Sequence, residues 1–208
     1  MSHVRLSAAP DPFYGRPMTD GAMPAKKCGS CSFCCKVMEI EELAKPAGEW
    51  CRHRKPGIGC GIYGEHPPSC QGFACQWLLE PDMPHKYRPD QTKVVLAIDD
   101  DGDRLVAHCD PANPLAWRRD PIRSLLRVRA RASWGSGATV MAKVGRRLWV
   151  ITPDSEVDLG EIDPRAPFKI DREPDGGVRV EVLPAIPDGE ELQAGLEKLL
   201  ETRTGLQE

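Results

Sequence analysis

Apolar and polar positions change rhythm along the chain, and the change falls near residue 90. Residues 93–98 and 104–108 are aliphatic, β-branched runs, and the acidic stretch 99–103 between them predicts the turn of a hairpin. Asp120 followed by Pro121 predicts a helix start, with Asp as N-cap and Pro at the first helical position. That helix is expected to run to about Ser133 and to stop before Gly135 and Gly137. Residues 138–144 and 147–152 read as a second hairpin around Gly145, and 168–172 with 178–183 as a third, joined through 174–177. A last helix, 189–202, places Leu192, Leu196, Leu199 and Leu200 on one face. The pattern predicts a small α+β domain over 90–203 with antiparallel hairpins.

Residues 28–80 lack this rhythm. Cys31, Cys34, Cys35, Met38 and Leu43 recur at helical spacing, and Pro46 and Gly48 would end that helix. Gly57, Gly59, Gly61, Gly64, Pro67, Pro68 and Gly72 then leave room only for tight turns. Such a segment buries little apolar area, so packing alone is not expected to offset its ordering entropy. Residues 1–27 show no periodicity and read as a flexible tail. The expected organisation is a tail over 1–27, a loop-rich module over 28–80 and the α+β domain over 90–203.

Composition changes the picture at one point. Of nine cysteines, all but Cys109 fall in the loop-rich module, as Cys28, Cys31, Cys34, Cys35, Cys51, Cys60, Cys70 and Cys75. No run of apolar residues is long enough to span a membrane, and 1–27 holds no signal-like apolar stretch. The expected compartment is therefore the cytoplasm, where disulfides rarely persist and clustered cysteines more often bind metal. Eight thiolates match two four-sulfur tetrahedral sites, separate or sharing sulfurs, and two divalent zinc ions would leave a local charge of about −4. Lys26, Lys27, Lys36, Arg52, Arg54 and Lys55 stand near enough in sequence to offset that charge. Iron is the other candidate. The ferredoxin run of spaced cysteines fails after its third member, because Cys34 and Cys35 are adjacent and Lys36 follows.

The order Cys28-x-x-Cys31-x-x-Cys34-Cys35, then Cys51, then Gly59-Cys60-Gly61-Ile62-Tyr63, then Pro67-x-x-Cys70 and Phe73-x-Cys75, resembles the bacterial CxxCxxCC family. That family is described as a zinc- or iron-chelating domain, and the resemblance covers about residues 26–80. It implies metal chelation by these eight cysteines and says little about catalysis. His66-Pro67 stands where the family usually has Arg-Pro, and the additional sequence of the family's flagellin lysine methylase branch is not found here.

The remaining candidates have plainer readings. His53 and His66 could replace or support a cysteine ligand, though loop histidines are more often bystanders. Cys109 reads as a small buried hydrophobe. The acidic turn 99–103 fails the calcium-loop register, which would need Asp and Glu where Ala97 and His108 stand. Arg119, Arg123, Arg127 and Arg131, four apart, form a basic stripe that could meet an acidic protein partner. A net charge of −3 argues against a nucleic-acid binder. The five tryptophans, Trp50, Trp77, Trp117, Trp134 and Trp149, read as core or interface anchors. The sequence thus leads to a protein chelating zinc or iron in a structural or metal-handling role. An iron–sulfur redox protein or enzyme and an adaptor working through the arginine stripe are the alternatives.

Overall fold

The computed structural model describes residues 26–99, 103–136, 138–163, 166–172 and 178–183. Residues 1–25 of the tail expected over 1–27, and the last helix, 189–202, lie outside these residues. The chain divides into two compact units, 1–162 and 163–208.

The cysteine segment is built from short pieces. They are α1 (Cys34–Val37), the two-residue strands β1 (Arg54–Lys55) and β2 (Gly59–Cys60), α2 (Pro68–Gln71) and α3 (Gln76–Leu79). The longer helix expected through Met38 and Leu43 does not form, because the carbonyls that would continue it are used elsewhere. Cys35 O accepts Cys51 N at 2.9 Å, and Lys36 O and Met38 O accept the Lys45 ammonium. Ile40 instead bridges to Lys45, and Ala44 turns the chain in the left-handed region at φ 48°. Glycine is required where the small hairpin approaches the first cysteine loop. A Cβ on Gly59, whose φ is 122°, would stand 2.6 Å from Gly29 O.

After α4 (Pro89–Thr92) the chain enters the sheet: β3 (Val94–Ile98), β4 (Arg104–Cys109), α5 (Ile122–Ala132), β5 (Thr139–Val144), β6 (Arg147–Ile151) and β7 (Glu156–Glu161). The five strands pair in sequence order. The first two expected hairpins are present as β3–β4 and β5–β6. They lie side by side through a parallel β4–β5 pairing, with α5 as the crossover. The β7 strand, which the apolar pattern did not announce, adds an edge. Its register shifts near Leu148 and Trp149, and Gly160 there has φ 72°.

Alternation along the strands gives the sheet two buried faces. On one, Val94, Leu96, Leu105, Ala107, Cys109, Val140 and Ala142 pack with Ile122, Leu126 and Ala130 of α5 and with Trp117. On the other, Val95 packs with Phe33, Val37, Cys75 and Leu78 of the cysteine segment. Two ion pairs reinforce the seam: Lys36–Asp110 and Glu80–Arg129, both at 2.6 Å with little exposure. In the second unit, β8 (Phe168–Arg172) and β9 (Val178–Val182) form the third expected hairpin. The architecture is α+β, as the apolar pattern implied.

Candidate metal centre

Eight thiols enter the cysteine segment from different pieces of backbone. Cys28 and Cys31 lie on the loop before α1, held by a Cys31 N to Cys28 O bond of 3.0 Å. Cys34 and Cys35 begin α1. Cys51 hangs from Cys35 through its backbone, and Arg54 N bonds Cys51 O at 3.0 Å. The strand pairing of Arg54 with Cys60 then carries Cys60 to the same neighbourhood. Cys70 sits on α2, and Cys75 caps α3 at its N-terminal end.

These thiols sort by surroundings. Cys28, Cys31, Cys34 and Cys75 all pack around the small apolar cluster of Phe33, Val37 and Leu78. Burial pushes the Cys75 thiol up to about 11, with the charges of Cys28 and Cys31 acting in the same direction. Burial likewise raises Cys28, reinforced by Cys31 and Cys35. Cys70 has a different set of sulfur neighbours. It is raised by burial, partly offset by a hydrogen bond with Ser69, and further raised by Cys35, Cys51 and Cys60. The two neighbourhoods abut at Cys34 and Cys35, which share a hydrogen bond. That bond, with burial adding to it, lifts Cys34 well above the ordinary thiol range. The same bond brings Cys35 down to about 7 against burial, helped by Lys45 and Arg54.

Cations stand beside both neighbourhoods. The Arg88 guanidinium bonds Ser30 Oγ at 2.8 Å and draws the Cys28 thiol down by its charge. Arg54 bonds Ser32 Oγ at 3.1 Å and lies 3.7 Å from the Trp50 ring centroid. Burial lowers the Lys45 ammonium, while the thiols of Cys35, Cys51 and Cys34 act to raise it. Of the cations expected from sequence proximity, Arg54 serves this role, whereas Lys36 is committed to Asp110 and Lys26 to the carbonyls of Glu80 and Met83. Lys45 and Arg88 were missed. Lys45 lies within the cysteine segment, but Arg88 is 58 residues from its partner Ser30, and nothing local in the sequence links them.

The donor chemistry fits a soft or borderline metal: eight thiols whose charges oppose one another's ionisation, an opposition that a cation among them would reverse. Among the described residues, no three His, Cys, Asp or Glu side chains converge as a closed metal-binding set. The histidines are engaged locally. His53 Nε2 accepts from Arg52 at 3.3 Å, and the His66 ring stacks on Tyr63 with centroids 5.0 Å apart.

The other sequence candidates fall outside this region. Cys109 is buried in the sheet core, and burial pushes its thiol up to about 12. The arginine stripe splits. Arg127 bonds Thr152 O, Ser155 O and Glu156 and so serves the packing of α5 on the sheet, whereas Arg131 makes an exposed surface pair with Asp154 at 3.4 Å. Arg119 and Arg123 remain exposed. Trp117 anchors the core, while Trp50 is 42% exposed beneath Arg54. No helix among the described residues is long and apolar enough to cross a membrane. Comparison of the chain with protein-family models, with curated proteins and with solved structures gives no match.

Proposed function

We propose that this chain is a metal-binding protein that chelates zinc or iron through the eight cysteines of its loop-rich segment, in a structural or metal-handling role. The observation that carries the reading is the sorting of eight thiols into two adjoining neighbourhoods within a segment that has little else to hold it. Cys28, Cys31, Cys34 and Cys75 would supply one four-sulfur set, and Cys35, Cys51, Cys60 and Cys70 the other. Bound metal would cross-link loops that have no regular element longer than four residues. The chain's own part is to present the thiols, hold Lys45, Arg54 and Arg88 against their charge, and bury one set against the sheet. The resemblance to the CxxCxxCC family points the same way.

The test is metal and sulfide analysis of protein purified without oxygen. A colourless preparation with about two zinc ions per chain supports the zinc form. A brown one containing iron and acid-labile sulfide supports the cluster form. Protein that retains neither metal overturns the proposal. Cys70→Ser and Cys75→Ser should each lose about half of the bound metal if the sets are separate. Loss of all metal in both variants would instead mean one shared centre.

A further inference from the structure

Residues 62–72 form a strap between two anchored points. At one end the Gly61 N–H bonds His53 O at 2.8 Å, and at the other Phe73 packs on the apolar cluster of Phe33, Val37 and Leu78. No residue of the strap is buried, and Tyr63 is 69% exposed. Its hydrogen bonds are mostly internal: Glu65 N to Ile62 O, Gly64 N to His66 Nδ1, and Gln71 Nε2 to His66 O at 2.7 Å. Among the described residues, the strap is hydrogen-bonded to the rest of the chain only through Ser69 and Glu42. There the Ser69 N–H and hydroxyl donate to the two carboxylate oxygens of Glu42, at 3.0 and 2.7 Å, and both residues are exposed. One thiol, Cys70, rides on this strap, in α2. Cys75, only five residues on, is placed very differently: it heads α3, whose Leu78 is buried in one cluster with Val95 of the sheet.

We propose that the strap is the moving arm of an exchangeable metal site, with Cys70 as the ligand that comes and goes and the Glu42–Ser69 contact as its latch. The inference rests on the metal-binding reading above and adds a division of labour to it. Opening the latch frees α2, which has no buried residue, so little apolar surface is exposed. Withdrawing Cys75 would instead unpack Leu78 from the sheet, so the set of Cys28, Cys31, Cys34 and Cys75 stays closed. Cys70 leaves its sulfur neighbours Cys35, Cys51 and Cys60, and a thiol of a second molecule takes its place. The exchange involves no oxidation or reduction. Cys70 gives up its bond to the metal and takes up the proton that the incoming thiol loses.

Release kinetics test this. The full chain, purified without oxygen, is mixed with excess chromogenic chelator, pyridylazoresorcinol if the metal is zinc and ferrozine if it is iron. Metal should leave in two phases, with about half in the fast one. Glu42→Ala should speed the fast phase by roughly fivefold, the worth of a modest hydrogen bond, and leave metal content and the slow phase unchanged. Cys70→Ser should remove the fast phase and spare the slow one. Hydrogen exchange supplies a readout independent of metal release: Glu42→Ala should speed exchange at the amides of Cys70, Gln71 and Gly72 and leave those of Leu78 and Leu79 unaltered. Release at a single rate from metal-loaded protein overturns the inference while sparing the metal-binding reading. So does a Glu42→Ala variant that alters both phases equally or neither. Protein that holds no metal to release overturns both.

Discussion

The sheet with α5 and the cysteine segment meet the same cost of ordering a backbone by different means. Strands β3 to β6 bury aliphatic side chains, and α5 closes one face of the sheet with Ile122, Leu126 and Ala130. Removing that apolar surface from water repays the entropy lost, at about 25 cal/mol per Å² against about 1–2 kcal/mol per residue ordered. Residues 26–80 have little of this. Their apolar cluster is Phe33, Val37, Leu78 and the sulfur-bearing side chains around them, resting on Val95 of the sheet. The second region rests on a neighbour and, on the proposed reading, on metal cross-links, whereas the first has its own apolar core. Apolar patterning orders the first region, and the proposed metal binding would be a second route to order within the same compact unit.

Metal removal should break the comparison most sharply. Stripping the protein with a strong chelator under reducing conditions should cost on the order of 10 kcal/mol of metal-linked stability. Hydrogen exchange should then show the Cys51 amide unprotected while the amides of β4 and β5 stay slow. Equal loss of protection in both regions would mean that the sheet also needs the metal.

The seam between the regions comes next. Lys36→Met leaves Asp110, 2% exposed, without its ion-pair partner, and should cost about 3 kcal/mol in urea denaturation. Burial opposes ionisation of Asp110, but hydrogen bonds from Lys36, the Ala112 N–H and Asn113 outweigh it and hold its pKa below the ordinary value. Its contribution is therefore complete above the unfolded carboxyl pKa of about 4 and is lost as pH falls through the lower folded value. Asp110→Asn should remove that part of the acid sensitivity, seen as a smaller stability difference from wild type near pH 3 than near pH 7. A difference that does not change with pH would mean the carboxylate is not held ionised by the fold.

Leu126→Ala, in the sheet core, should cost about 3 kcal/mol by chemical denaturation with unchanged metal content. Loss of metal in that variant would show the two regions to be one cooperative unit. The smallest effect belongs to Val128→Lys on the outer face of α5, where the side chain is 60% exposed. It should stay within about 0.5 kcal/mol in the same denaturation measurement.

Much of the fold was legible because periodicity and turn chemistry are local. The three hairpins and α5 follow from aliphatic runs, the Asp120-Pro121 signal and the glycine at 145, whose φ of 59° suits the turn. The α5 helix nevertheless opens at Ile122, with Pro121 rather than Asp120 at the N-cap position. The β7 strand was not legible, since its polar and acidic residues earn their place only by pairing with β6 and by ion pairs such as Arg147–Asp158 at 2.7 Å. The helix through Met38 was misread because cysteine spacing mimics helical spacing, while the Lys45 side chain and the Cys51 N–H claim its carbonyls.

For the candidate site the division is similar. The sequence by itself determined that eight thiols crowd a segment poor in apolar residues, and that Cys109 stands apart in a strand. The tertiary structure alone decided which thiols neighbour which, that Cys34 and Cys35 lie where the two neighbourhoods meet, and that Arg88 and Lys45 stand beside them. It also decided that Arg127 belongs to the packing of α5, while Arg131 pairs with Asp154 at the surface and Arg119 stays exposed. The reason is physical: composition and spacing act through neighbours along the chain, whereas charge and sulfur act through space, across loops whose paths short motifs do not specify.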